Sequence, residues 1–204
     1  GYYNVTGTEN VHIGHNSGFG TDGQGGSNIT AVGNEALKVA YGQDNVAIGR
    51  QAGLSVTSGV RNCLIGNNTG DAITSGNYVT AVGIFAGSAI NHTDADGTTL
   101  LGYSAGLALT SAQRMTAIGY QALSSEDAGS FQTAVGYQAL SQVNNDNGHN
   151  TALGQRSGYN LTTGYSNTLI GSGADASGSG GINQTVIGAS ATGQADNSVT
   201  LGNA

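Results

Sequence analysis

The stretch Thr116-Ala117-Ile118-Gly119-Tyr120-Gln121-Ala122-Leu123 returns seventeen residues later as Thr133-Ala134-Val135-Gly136-Tyr137-Gln138-Ala139-Leu140. Working outward from this pair, a short segment ending in an aliphatic residue and glycine recurs, with the glycine at 14, 33, 49, 66, 83, 102, 119, 136, 154, 171, 188 and 202. Self-similarity at a fixed period of this length is the mark of a solenoid, in which each repeat is one coil. The expected architecture is all-β: a parallel β-roll or β-solenoid of about twelve coils of about 17 residues, a single repeat domain spanning 1–204.

The residue before each glycine is always aliphatic (Ile13, Val32, Ile48, Ile65, Val82, Leu101, Ile118, Val135, Leu153, Ile170, Ile187 and Leu201). Two residues earlier stands a mostly β-branched position, Thr in eight of the copies and Cys63 in one. Side chains two apart share one face of a strand, and β-branched residues suit a pleated surface. This pair of columns is expected to face the core. The residue between them then points the other way, at His12, Ala31, Ala47, Leu64, Ala81, Leu100, Ala117, Ala134, Ala152, Leu169 and Val186. An apolar second face needs a cover, and these positions are expected to form the interface of a trimer.

Three residues past the glycine lies a column of small residues, such as Ala36, Ala52, Ala122 and Ala139, read as a second short strand in close approach to the first. Segments rich in Gly, Asn, Asp and Ser follow, including 144–150 and 162–167, and read as turns. Each coil is thus expected to contain two strands and two bends. At about 4.8 Å per rung, twelve coils make a rod roughly 55 Å long.

Composition fits a thin repetitive body: Gly is 36 of 204 residues, Pro and Trp are absent and only 8% of residues are charged. The net charge is −7, and the five bases are scattered at Lys38, Arg50, Arg61, Arg114 and Arg156. Binding to phosphate backbones relies on clustered cations, so nucleic acid and anionic membrane are poor partners. No run approaches the roughly 18 apolar residues of a membrane helix, so no membrane insertion by this segment is expected. Cys63 is the single cysteine, so no disulfide forms within the chain.

The "TAIGYQAL" segments resemble repeats of bacteriophage tail fibres, and Asn45-Val-Ala-Ile-Gly49 and Asn197-Ser-Val-Thr-Leu-Gly202 are similar to the head repeats of YadA-like trimeric autotransporter adhesins. The resemblance spans almost the whole chain. It implies a left-handed roll, three chains about one axis, an extracellular place on a virion or a bacterial surface, and a role in attachment or as a spacer. The coil is nearer 17 residues than the roughly 14 of the adhesin heads, which favours the tail fibre. The closing 195–204 is similar to the last rung before the self-cleaving chaperone of many tail fibres, so the chain reads as an excerpt of a longer fibre protein.

No pair of convergent carboxylates and no HExxH pattern marks a catalytic constellation, and neither an enzyme nor a cofactor is expected. Asp94-Ala-Asp96-Gly97 is half of a calcium loop without the later ligands, so no metal site is assigned. Contact with a host-surface carbohydrate or protein receptor is expected at loops and turns, through Asp22, Tyr41, Tyr78, His92, Asp94, Asp96, Asn145, Asp146, Tyr159 and Tyr165. A third class, ice binding, is prompted by the Thr column. Sharing a face with the aliphatics, that column is expected to point inward.

Overall fold

A computed structural model describes residues 6–20, 23–91, 96–111 and 113–202. Among these, twelve three-residue strands form one parallel sheet: β1 Val11–Ile13, β2 Thr30–Val32, β3 Val46–Ile48, β4 Cys63–Ile65, β5 Thr80–Val82, β6 Thr99–Leu101, β7 Thr116–Ile118, β8 Thr133–Val135, β9 Thr151–Leu153, β10 Thr168–Ile170, β11 Thr185–Ile187 and β12 Val199–Leu201. Strand order follows the chain, β1 to β12, with each strand paired to the next. The molecule is a β-solenoid of about eleven turns. The register aligns equivalent repeat positions throughout: Ala117 pairs with Ala134, and Ile118 with Val135. Each strand is the one the sequence repeat marks.

The glycine after each strand has a steric reason. Gly66 has φ +139°, and a β-carbon on it would stand 2.5 Å from the carbonyl oxygen of Gly83 in the next coil. Only a residue without a side chain fits between two backbones this close. The Gly66 N–H donates to the Ile48 carbonyl of the previous coil at 2.8 Å, as Gly136 donates to Ile118 at 2.7 Å. Backbone bonds therefore run along the stack, coil to coil.

The expected second strand is absent among the described residues. After each glycine the chain instead makes tight turns, in which the N–H of Ala122 donates back to the Gly119 carbonyl at 3.3 Å and that of Ala139 to Gly136 at 3.3 Å. Left-handed residues recur there: Gln51, Asn68, Gln121, Gln138 and Arg156 all have φ between 52° and 57°. A second left-handed column lies five residues before each glycine, with Asp44, Arg61, Tyr78, Arg114, Phe131 and His149 all near φ +60°. The turns still join neighbouring coils by hydrogen bonds, such as Gly70 N–H to the Ala86 carbonyl at 3.0 Å and Leu123 N–H to Ala139 at 3.1 Å. The small-residue column is therefore buried for a different reason than strand approach: it sits inside a bend too narrow for larger groups.

The two faces of the strands are the reverse of the sequence expectation. Ala31, Ala47, Leu64, Ala81, Leu100, Ala117, Ala134, Ala152, Leu169 and Val186 are fully buried inside the single chain, so they form its core and offer no surface to a neighbour. His12, in the same column, is half-buried at the first rung. The interior of a 17-residue coil is narrow, and Ala with an occasional Leu fills it. A second core column, seven residues after the glycine, brings in Val56, Ile73, Ile90, Leu109, Val143 and Leu161. Burying each of the larger of these side chains contributes about 1.5–3 kcal/mol.

An amide ladder closes the interior. Asn45 Oδ1 accepts from the Asn62 N–H at 3.0 Å while Asn45 Nδ2 donates to the Gly59 carbonyl at 2.7 Å. Asn62 repeats the pattern on Val79 and Gly76, and Asn150 and Asn167 repeat it further along. Each buried amide thereby satisfies a backbone group that the bend would leave unpaired.

Candidate functional site

The columns expected inside, the aliphatic residue before each glycine and the β-branched one two earlier, lie on the outside. Ile13 is 59% exposed, Leu101 46%, Leu153 48% and Leu201 73%. Ile48 and Ile187 are also exposed, whereas Val32, Ile65, Val82, Ile118, Val135 and Ile170 are half-buried. Beside them runs the Thr row, unbroken from Thr80 through Thr185 in seven consecutive strands, together with Cys63. The result is one continuous apolar strip that follows the sheet over all twelve strands.

Two ladders of polar and aromatic side chains border this strip in sequence. One residue after the glycine, Tyr103, Tyr120 and Tyr137 are exposed and stack with ring centroids 5.2 and 5.3 Å apart, at 13° and 9° between planes. Phe85 meets Tyr103 edge-on at 6.3 Å, and the Arg156 guanidinium stands 6.0 Å from the Tyr137 ring. A neighbouring amide row joins Gln138 Nε2 to Gln121 Oε1 at 2.9 Å, and Arg156 Nε donates to Gln138 Oε1 at 3.1 Å. The other border is the left-handed column before the strand. There Arg61 donates to the Tyr78 hydroxyl at 2.8 Å, Arg114 covers Phe131 at 5.4 Å, and Phe131 stacks on His149 at 5.1 Å. Stacked rings at a coil spacing follow directly from in-register repeats.

The sequence-selected contact residues are not brought together. Tyr41 and Tyr78 are exposed on coils two apart, Tyr78 within the Arg61 ladder. Asp146 is exposed, whereas Asn145 is buried, accepting from the Gly148 N–H at 2.7 Å and donating to the Gly164 carbonyl at 3.0 Å. Tyr159 is half-buried beneath Arg156, and Tyr165 is half-buried and bridged to Ile182. Asp96 spends its Oδ1 on the Asn77 N–H at 2.8 Å, so it serves the preceding coil. Asp22, His92 and Asp94 lie outside the described residues. Among the described residues no cavity opens, no group of three or more His, Cys, Asp or Glu could hold a metal, and no helix is long and apolar enough to cross a membrane.

Two buried carboxyls escaped sequence reasoning. Glu126 occupies the core column otherwise held by Leu109 and Val143 and is fully buried. It accepts from the Gly129 and Ala128 N–H groups at 2.7 and 3.3 Å and from the side-chain amide of Gln132. Asp175 accepts from the backbone and side chain of Asn160 at 2.9 and 2.8 Å. Burial outweighs these bonds and pushes both carboxyls above their ordinary values. Burial likewise holds the His12 imidazole below its usual value. Aligning the repeats at seven residues past the glycine would have exposed Glu126 as the charged member of an apolar column.

The chain matches no family model, no curated protein and no solved structure. The assignment of a role therefore rests on the outer strip, its two ladders and the repeat itself.

Proposed function

We propose that this chain is a structural and receptor-binding segment of a homotrimeric bacteriophage tail fibre, carried outside the cell on the virion and attaching to a host-surface carbohydrate or protein. The observation that carries the reading is the apolar strip. Monomeric proteins rarely leave a continuous apolar surface of this extent uncovered, and a strip parallel to the rod axis is suited to copies lying side by side around that axis. The resemblance of 116–123 and 133–140 to tail-fibre repeats supports the same assembly, and the head of a bacterial trimeric adhesin is the alternative host for it. The role is binding and spacing rather than catalysis. The outer turns, whose length changes from coil to coil while the strands keep register, are the surface for a receptor.

Solution mass by light scattering tests this. A mass near three times 20.2 kDa supports the fibre and warrants a glycan-array search; a folded species at 20.2 kDa overturns the trimer. A second reading gains from the outward placement of the Thr row: hydroxyls beside methyl groups repeated from coil to coil suit an ordered water surface such as ice. A monomer that produces thermal hysteresis would establish that reading in place of the fibre.

A further inference from the structure

We propose that, within the trimer, the tyrosine ladder of one copy packs against the Arg114–Phe131 ladder of the next, so that Tyr120 meets the neighbour's Arg114 and Tyr137 its Phe131. The proposal rests on the trimeric reading above and deepens it by naming the contacts that hold the copies in register.

Threefold rotation makes a heterologous interface, in which two different surfaces of each chain meet. With the strips of three copies turned toward the axis, the border after the strand in one copy faces the border before the strand in the next. Both borders are exposed and carry aromatic rings in the same part of the rod. On the coil of Gly119 they carry Tyr120 and Arg114, and on the coil of Gly136 Tyr137 and Phe131. The rings of Tyr120 and Tyr137 already stack on each other, and the Arg114 guanidinium lies over Phe131, so each ladder is ordered before association. Preordered side chains lose little entropy on binding. A guanidinium beside Tyr adds a cation–π attraction that grows as water is excluded. Copies in parallel at equal height bring these residues together, and a shift by one coil sets Tyr120 against a neighbouring coil's border instead.

Cross-linking separates this contact from the trimer as such. In a Cys63→Thr background, which supplies the residue found in eight of the other strands, three variants are compared: Arg114→Cys, Tyr120→Cys and both together. Within one chain the two positions flank β7 and lie on the order of 15 Å apart along extended backbone, beyond the reach of a short bis-maleimide. The double variant is expected to give two- and three-chain species on a denaturing gel, and each single variant none. Linkage in a single variant shows that like borders converge and overturns the pairing. So does a double variant that remains a trimer by light scattering and stays unlinked. A monomeric mass for the unmodified chain instead overturns the trimeric reading itself. Unchanged β-sheet circular dichroism in each variant confirms that folding is intact.

Discussion

Leu64 fills the space that Gly70 leaves open: a β-carbon on Gly70 would stand 3.0 Å from Leu64 Cδ2 and 2.8 Å from Ile73 Cδ1. The same interior volume is filled from the turn elsewhere. Where the strand offers Ala117 or Ala134, the turn position equivalent to Gly70 carries Leu123 or Leu140, both buried and left-handed. In these coils the leucine sits on the strand or on the turn, and where both are small, as at Ala47 and Gly53, Leu37 and Leu64 of the neighbouring coils reach in. Leu64→Ala should cost about 2–5 kcal/mol through the cavity it leaves, and adding Gly70→Leu should recover a substantial part, reproducing the arrangement at Ala117. Denaturant midpoints of the two single variants and the double variant measure the coupling; strict additivity would refute the exchange.

The column glycines differ sharply from the surface ones. Gly66→Ala would drive a methyl into the Gly83 carbonyl at φ +139° and should destabilise by about 3 kcal/mol or more. Gly178 lies exposed with nothing within 4 Å of a built β-carbon, and Gly178→Ala should change stability by at most about 0.5 kcal/mol. Thermal melts of the two variants side by side provide the comparison.

Neighbouring residues of β7 should respond oppositely to charge. Ala117→Asp buries an unpaired carboxylate in the core and should abolish folding. Ile118→Lys adds charge to the outer strip, so it should leave the β-sheet circular dichroism intact while lowering the assembled mass to that of one chain. If Ile118→Lys unfolds the coil and Ala117→Asp does not, the assignment of faces is wrong.

Glu126 and Asp175 set a pH dependence whose direction follows from their burial. Both carboxyls hold a proton more readily in the folded chain, so between the ordinary carboxyl range and the raised values the folded state binds more protons than the unfolded one. Stability from these groups therefore rises as the pH falls through that window and is lost as the pH climbs back through it. Glu126→Gln, which retains an oxygen for the Gly129 N–H, should flatten the fall in melting temperature above the ordinary glutamate value of about 4.3. An unchanged pH profile would show that Glu126 does not titrate in the fold.

The repeat fixed in sequence where every strand lies, because the glycine column is a steric necessity of coil stacking and leaves no second choice of register. Which strand face is inside was not legible. Period-two alternation marks Ile118 and Ala117 as opposite, and both faces are apolar, so the pattern alone has no sign. The bulkier column looked like the core only by analogy with thick domains; a narrow coil inverts that preference and seats Ala inside. The second strand was misread for a related reason, since small buried residues suit a tight left-handed bend as well as a close pair of strands. The ladders were hidden differently: Tyr120 and Arg114 become neighbours of Tyr137 and Phe131 only through the stack, which no local window of sequence displays.

Because the hydrogen bonds between coils run parallel to the rod, a pull on its two ends loads them one rung at a time rather than all at once. Each rung that opens would release about 17 residues of chain, on the order of 55 Å of extension. Single-molecule stretching of the isolated chain should record low, evenly spaced steps of that size. In the proposed trimer the load would be shared across three such stacks, so lateral association would turn a strand that yields like a zip into a shaft able to hold tension.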